Sequence, residues 1–230
     1  MIKRKIYLFA GGPKIYAEES KPFYDFHFKI PLLVHSYKHV IEFFDEVNYV
    51  CNESEVDKAN AIKGEYGLER MIVLASPDES STLDKFQYLV ALNSDFDDDI
   101  YFSYSDIFSG ENFWNTKNDG IATILSCPIK SRFSKVLLKP FSNQVRGVTS
   151  HDSRVPSNAT YIFAGLIICN PSKMTTLLQS LKADNSFLNL EADFLDFLAL
   201  HKSLHNKTYY DVRFHVDSFR DLNSVAEVFL

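Results

Sequence analysis

The sequence of 230 residues predicts a single α/β domain with a mixed, mostly parallel sheet. Three observations lead to this class. Short apolar runs alternate with segments of helical periodicity as far as residue 104, the connections between them are short, and the later apolar runs follow one another with no helix of good length between them. No shift in composition marks a linker, so we expect one domain over residues 1–230.

The first half of the chain is predicted to alternate strand and helix. Residues 5–10 form a continuous apolar run that Gly11 and Gly12 close, which is typical of a buried strand. Pro31 suits the first turn of a helix whose apolar residues recur near helical spacing as far as Phe44. By the same criteria we expect strands over 47–51, 71–75 and 99–104 and helices over 53–63 and 82–93. Short connections between such elements indicate parallel strands joined by right-handed crossovers.

The second half departs from this alternation. Residues 121–127, 135–139 and 160–169 are apolar runs typical of strands. The stretch 142–158 is rich in Ser, Asn, Arg and Asp, which indicates an irregular loop or a hairpin. Helices are predicted over 171–181 and 189–204, followed by a strand over 209–216 and a last helix over 219–229.

Composition and charge exclude several classes of function. A net charge of −6 argues against a general nucleic-acid binder, whose surface would be basic. The five apolar residues before Gly11 are too few for a signal peptide, and no stretch is long enough to span a membrane. Cys51, Cys127 and Cys169 are widely spaced within apolar runs, which is typical of reduced, buried thiols in a cytoplasmic protein. The sequence carries no signal of oligomeric state.

Asp106 is the first candidate functional residue. It follows the apolar run 99–103 almost directly, so it is expected at the carboxyl end of a strand, where open α/β sheets bind ligands. A hard cation such as Mg²⁺ (or Mn²⁺) needs one or two carboxylates there, with substrate phosphates completing its shell. The alternative is an aspartate that starts the next turn.

Four other groups of residues also follow predicted strands. Ala10, Gly11 and Gly12 would let backbone N–H groups approach a nucleotide, and Lys14 could neutralise phosphate charge.

Lys21, next to Pro22, is a candidate phosphate clamp, with a solvated surface lysine as the alternative. Ser81 and Thr82 at a helix N-terminus suit a base edge or a phosphate, with ordinary capping as the alternative. Asp217 follows the last predicted strand and could supply a second carboxylate to the cation.

Histidines give no separate metal site. His35 and His39 lie four residues apart and could share one face of the helix that Pro31 opens, a spacing that metal sites use. The residues between them include no glutamate, and His35 follows an apolar run. Core or boundary histidines are the interpretation we favour.

The order of these short motifs resembles a known family. Ala-Gly-Gly, Lys-Pro-Phe, Ile-Pro-Leu-Leu-Val-His, Ser-Ser-Thr-Leu and Tyr-Ser-Asp-Ile follow one another, and the chain closes with Val-Asp-Ser-Phe-Arg-Asp-Leu. This succession is similar to the sugar-phosphate nucleotidyltransferases, the nucleoside-triphosphate transferases that make nucleotide-sugars. It spans about residues 5–228. The resemblance implies a Rossmann-like three-layer αβα sandwich of the nucleotide-diphosphosugar transferase type, which is GT-A-like.

The resemblance also implies a role for individual residues. Ala10, Gly11 and Gly12 would contact the nucleotide, Ser81 and Thr82 would lie near its base, and Lys21 with Lys14 would neutralise phosphate charge. Asp106 and Asp217 would match the two metal-binding aspartates. Gly165, in the strand Phe-Ala-Gly-Leu, and Glu191 would contact the acceptor substrate.

One departure from the family pattern concerns the glycine-rich loop. The family continues Gly-x-Gly-Thr-Arg after Ala-Gly-Gly, whereas here Pro13 and Lys14 follow and no arginine occurs before Lys21. That arginine stabilises charge on the triphosphate, a term on which phosphoryl transfer depends. A lysine in its place lacks the bidentate fork. The chain is therefore expected to be a divergent member or one whose activity is reduced or lost.

The function that we expect is metal-dependent nucleotidyl transfer. A nucleoside triphosphate would be coupled to a sugar phosphate or a similar small phosphorylated metabolite, such as choline phosphate or a polyol phosphate, with release of pyrophosphate. The product would feed surface polysaccharide synthesis in the cytoplasm. Two alternatives stay open: a GT-A-type glycosyltransferase that uses a nucleotide-sugar, and a catalytically inactive nucleotide-binding module.

Overall fold

The strands and helices of the computed structural model follow the predicted order through most of the chain. The structure describes residues 4–10, 20–128, 135–138, 143–149, 161–181, 187, 189–211, 213–216 and 219–229. The strands are β1 (Lys5–Phe9), β2 (Glu46–Asn52), β3 (Met71–Ser76), β4 (Ile100–Tyr104), β5 (Ile107–Ser109), β6 (Ala122–Cys127), β7 (Lys135–Leu138), β8 (Val145–Thr149), β9 (Ile162–Cys169), β10 (Leu204–Thr208) and β11 (Arg213–His215). The helices are α1 (Leu32–Val40), α2 (Val56–Glu65), α3 (Thr82–Leu92), α4 (Glu111–Trp114), α5 (Pro171–Ser180), α6 (Leu195–Leu200) and α7 (Phe219–Phe229).

The chain groups into two compact units. The first unit comprises Met1–Ser80, Phe102–Asn115 and Asp211–Leu230, and the second comprises Ser81–Tyr101 and Thr116–Tyr210. The chain passes from the second unit to the first within β4. A single functional domain over 1–230 stays a prediction.

The strands of the first unit form a parallel arrangement. β4, β1, β2 and β3 are hydrogen-bonded neighbours in that order, and β1 with β2 and β2 with β3 run parallel. The side chains of β1, β2 and β4 are mostly buried because these strands are largely continuous apolar runs, whereas β3 is buried only at its two ends. A separate ribbon pairs β5 with β11 in antiparallel register.

The strands of the second unit are mixed. β10 pairs with β6 in parallel, whereas β6 pairs with β9 and β7 pairs with β8 in antiparallel register. The hairpin of β7 and β8 confirms one of the two interpretations of 142–158 for the residues that the structure describes there. Together with the parallel first unit, this confirms the predicted α/β fold with a mixed, mostly parallel sheet.

The bounds predicted for two elements near the carboxyl end are wrong. The helix predicted over 189–204 is a π-helical turn at Leu190–Phe194 followed by α6, which ends at Leu200. Lys202 has φ of 57°, and the N–H groups of Lys202 and Ser203 donate to the carbonyls of residues 199 and 198, which is a Schellman ending. The chain therefore turns early enough to form β10. The strand predicted over 209–216 is replaced by β10 before it and the short β11 within it.

The expectations for the cysteines and for His35 and His39 are confirmed. Cys51, Cys127 and Cys169 are buried, free thiols. His35 is buried, and His39 lies at the boundary of the first unit's core. Within the described ranges, no helix is both long and apolar enough to cross a membrane.

His39 connects α1 by hydrogen bonds to the last residue of β5 and to α4. Its Nε2 accepts hydrogen bonds from the Ser109 N–H at 3.0 Å and the Trp114 Nε1–H at 3.2 Å. Burial lowers the pKa of His39 from 6.5 to about 4. The imidazole is therefore neutral at neutral pH and acts as an acceptor.

Substitution of His39 tests this contact. The unfolded chain binds the His39 proton more readily than the folded one, so this histidine's contribution is complete above about pH 6.5 and is lost as the pH falls toward 4. The full change in the free energy of unfolding is about 3 kcal/mol. We expect His39→Gln, which keeps an acceptor, to lower the stability at pH 7 and to flatten the fall in stability between pH 6.5 and 4. Urea unfolding at a series of pH values measures both effects, and an unchanged slope would contradict the account.

Candidate functional site

Asp106 lies just past the carboxyl end of β4, as predicted. The Ser105 N–H donates to the Phe9 carbonyl at the end of β1, at 3.0 Å, and the Ser36 hydroxyl of α1 donates to the Ser105 carbonyl. These bonds fix the backbone next to Asp106 against both neighbouring elements of the first unit. The aspartate therefore projects from a rigid position at a strand end.

Lys21 and Asp106 form a buried ion pair within the first unit. The Lys21 Nζ lies 2.6 Å from the Asp106 Oδ2, and the two side chains are 2% and 3% exposed. The same Nζ donates to the Val216 carbonyl at 2.6 Å. Lys21 begins a short 3-10 turn, Lys21–Phe23, whose residues are all buried. The alternative of a solvated surface lysine is therefore wrong.

His215 is the residue of this site that the sequence did not indicate. It ends β11, where it pairs with Ile107, and its Nε2 lies 3.1 Å from the Asp106 Oδ2. The next residue, Val216, donates its N–H to the Asp106 carbonyl at 2.9 Å. We predicted one long strand over 209–216 rather than the short β11, so the prediction did not place His215 opposite Asp106. Its position two residues before Asp217 was the one available signal.

The environment of Asp106 keeps its carboxylate ionised. Burial raises its pKa, but the hydrogen bond and charge of His215 and then the charge and hydrogen bond of Lys21 oppose that effect and lower the pKa below its ordinary value. An ionised carboxylate only accepts hydrogen bonds, so the His215 Nε2 must be the donor.

One oxygen of Asp106 has no hydrogen bond. Oδ1 is buried, and no donor contacts it in the part of the chain that the structure describes. Buried polar atoms are normally paired, and a missing ion or water is a common reason for an exception. A lone carboxylate oxygen at a strand end is a ligand that Mg²⁺ accepts. The described residues include no cluster of three or more acidic, histidine or cysteine ligands, so waters or substrate phosphates would complete the shell of this cation.

The structure describes only part of the predicted site residues near 10–14 and at 217. Ala10 ends the β1 run, and its N–H donates to the Val50 carbonyl at 2.8 Å. Gly11, Gly12, Lys14 and Asp217 lie outside the described residues. Their predicted roles stay predictions.

Ser81 and Thr82 belong to the second unit, at the start of α3. Ser81 caps the helix: its hydroxyl accepts from the Asp84 N–H at 3.1 Å, and the Asp84 carboxylate accepts from the Ser81 N–H at 2.8 Å. This is a capping box. Capping is therefore observed, and contact with a base stays a prediction.

Gly165 and Glu191 also belong to the second unit. Gly165 has φ of 83° and lies in β9 where the register with β6 shifts, between the pairs Ile167–Ile124 and Phe163–Ser126. The positive φ at this irregularity favours a glycine. Glu191 lies in the π-helical turn before α6 and is half-buried. Contact of either residue with an acceptor stays a prediction.

Open α/β sheets bind their ligands outside the carboxyl ends of the strands, and Asp106 lies at such an end. No protein-family model matches the chain, and no curated protein matches it by sequence. Solved structures do match. The chain is similar to an inositol-1-phosphate CTP transferase from T. maritima, with 16% identity and a TM-score of 0.69 over 97% of this chain and 93% of that one.

A second solved structure is similar over nearly the whole chain. It is described as a glucose-1-phosphate thymidylyltransferase from Bacillus anthracis in complex with a sucrose, with 13% identity and a TM-score of 0.74 over 99% of this chain and 96% of that one. Both neighbours are nucleotidyltransferases by name. The predicted family fold is thereby confirmed, and at this identity the likeness shows the fold.

Replacement of Lys21 tests the buried pair. Lys21→Met removes the only lysine that pairs with the buried Asp106 carboxylate among the described residues and leaves His215 as its remaining donor, so we expect the free energy of unfolding to fall by about 3–5 kcal/mol. Lys207 provides a matched control, since its Nζ lies 2.8 Å from Asp119 but both side chains are substantially exposed. Lys207→Met should cost about 0–1 kcal/mol. Equal losses in urea unfolding would show that the Lys21 pair is hydrated in solution, and adding Asp106→Leu to Lys21→Met should restore part of the loss.

Proposed function

We propose that the protein is a metal-dependent nucleotidyltransferase. It couples a nucleoside triphosphate to a sugar phosphate or a similar small phosphorylated metabolite and releases pyrophosphate. The observation that carries the proposal is the buried pair of Lys21 and Asp106 at a strand end, in which Oδ1 has no hydrogen bond to any residue that the structure describes. The similarity in fold to two nucleotidyltransferases supports it.

In the proposed reaction, an oxygen of the acceptor phosphate attacks the α-phosphorus of the triphosphate. The bond between the α-phosphorus and the bridging oxygen breaks, and pyrophosphate leaves with the electron pair of that bond. Little covalent chemistry falls to the protein, so catalysis depends on position and charge. Asp106 and Asp217 would hold a Mg²⁺ or Mn²⁺, which would supply charge neutralisation to the phosphates.

Each predicted residue has a place in this proposal. Asp106 and Asp217 hold the cation, and Lys21 with Lys14 offsets the charge of the phosphates. The nucleotide contacts are assigned to Ala10, Gly11, Gly12, Ser81 and Thr82, and the acceptor contacts to Gly165 and Glu191. Lys21 is already desolvated, which strengthens its interaction with an incoming phosphate relative to a surface lysine.

The shortened loop bears on how charge is handled. With no arginine between Gly12 and Lys21, two lysines carry the positive charge near the triphosphate. Lysine interacts as a point charge rather than through a bidentate fork. We therefore expect weaker orientation of the triphosphate and slower turnover than an arginine would give.

Two further parts of the proposal concern context. We assign the product to surface polysaccharide synthesis and the protein to the cytoplasm. The acceptor is a small phosphorylated molecule, with choline phosphate and polyol phosphates among the candidates, and cytidine is the natural base in those cases.

Pyrophosphate release tests the function directly. We expect release when the protein is incubated with Mg²⁺, the matching nucleoside triphosphate and the matching acceptor from a panel of sugar, polyol and choline phosphates. Omission of the acceptor or chelation of the cation should abolish the signal. Absence of release across the panel, with thermal stabilisation by an intact nucleotide-sugar, would favour a GT-A-type glycosyltransferase. Stabilisation by a nucleoside triphosphate without turnover in either assay would favour an inactive nucleotide-binding module.

Asp106→Asn tests the assigned cation ligand. The amide keeps the shape of the side chain but removes its negative charge, so we expect kcat to fall by at least about 100-fold, the scale on which loss of one electrostatic group acts. Asp119→Asn is the control, because Asp119 also pairs with a lysine but lies in an exposed pair. Circular dichroism would check that both variants are folded. Turnover that stays metal-dependent and unchanged in Asp106→Asn would contradict the mechanism.

A further inference from the structure

The two oxygens of the Asp106 carboxylate have different surroundings. Oδ2 receives the Lys21 Nζ at 2.6 Å and the His215 Nε2 at 3.1 Å, whereas Oδ1 is buried and receives no donor within the described part of the chain. A carboxylate free to rotate would distribute two donors over two oxygens. Something therefore fixes its orientation so that one oxygen is saturated and the other stays open.

Lys21 alone does not fix this orientation. An ammonium is a compact charge on a flexible stem that attracts a carboxylate from any direction, and this Nζ also donates to the Val216 carbonyl. An imidazole N–H, by contrast, donates along one direction in the plane of a rigid ring. His215 is therefore the directional partner of Asp106.

The segment that carries Asp106 also holds the His215 ring in place. His215 pairs with Ile107 in the ribbon of β5 and β11, and the Val216 N–H donates to the Asp106 carbonyl at 2.9 Å. The ring also stacks on Tyr104, with centroids 6.3 Å apart and planes at 23°. These contacts involve the aspartate itself and residues within two positions of it, so the distance between the ring and the carboxylate is set locally.

We propose that His215 is a positioning residue that holds the Asp106 carboxylate by Oδ2 and thereby presents Oδ1 to a divalent cation. This role rests on the proposed function for its place in the reaction. The cation binding itself does not depend on which substrate the enzyme uses. Loss of the partner that orients a metal ligand typically lowers metal affinity or activity by about 10–100-fold.

Three substitutions of His215 distinguish the directional hydrogen bond to the Asp106 Oδ2 from the packing of the side chain. In His215→Gln the amide nitrogen occupies the place of Nε2 and still donates, whereas in His215→Asn the same amide is too short to reach Oδ2. His215→Leu removes the donor but fills space. We expect Mn²⁺ affinity of the full chain, measured by water-proton relaxation and corrected with Asp106→Asn, to fall by about 10–100-fold in the Asn and Leu variants and to stay within about threefold in the Gln variant.

Controls distinguish this role from a structural one. His205 is a half-buried strand histidine of the second unit, and His205→Leu should leave Mn²⁺ affinity unchanged. Urea unfolding identifies any variant that does not fold, and the Gln and Asn pair still decides the matter if the Leu variant does not. Where turnover is measurable, the Asn variant should raise the Mg²⁺ concentration needed for half-maximal rate more than it lowers kcat at saturating Mg²⁺.

The possible outcomes separate the two proposals. Equal Mn²⁺ affinity in the wild-type, Gln and Asn proteins, or no Mn²⁺ binding that depends on Asp106, would overturn the role of His215 even if pyrophosphate is released. The expected order of affinities without pyrophosphate release would support the role of His215 and refute the nucleotidyltransferase assignment.

Discussion

The buried ion pair between Lys21 and Asp106 organises the first unit. Its partners are 85 residues apart in the chain, and the Lys21 Nζ also reaches the Val216 carbonyl, 195 residues away. Removing two charges from water costs several kcal/mol per ion, and their attraction offsets this only with good geometry and further hydrogen bonds. Here the further bonds come from His215 and from the Val216 carbonyl. The strand end, the Lys-Pro turn and the carboxyl-terminal segment therefore depend on one another.

A pair of this kind is better explained by function than by stability. Well-packed apolar residues often stabilise a core as much as a buried ion pair does. The geometry at Asp106 is also incomplete in one respect, since Oδ1 is buried without a hydrogen bond in the described part of the chain. An ionised carboxylate with one saturated and one open oxygen is a poor structural element and a suitable cation ligand. The ribbon of β5 and β11 makes this arrangement possible because it brings His215 to Asp106 through backbone pairing.

The similarity in fold and the geometry at Asp106 support the proposed function by separate arguments. The neighbours share the fold over nearly the whole chain at 13–16% identity, which says that the backbone scaffold is common while most side chains are not. The chemistry rests on this chain's own residues. Pro13 and Lys14 stand where the family pattern has its arginine loop, so in the proposed reaction lysines would carry the positive charge.

The sequence by itself determined the α/β class, the order of strands and helices as far as β4, and the position of Asp106 at a strand end, because these follow from local apolar periodicity and turn residues. It also named Lys21, without showing that the side chain is buried. Only the tertiary structure decided how Asp106 is held. The contact with His215 depends on the pairing of β5 with β11, two strands of three residues that carry almost no periodic signal. The break between α6 and β10 likewise depends on a left-handed residue, Lys202, whose type gives no warning of it. Long-range pairing and backbone conformation at single residues decide such features, and local sequence patterns do not encode either.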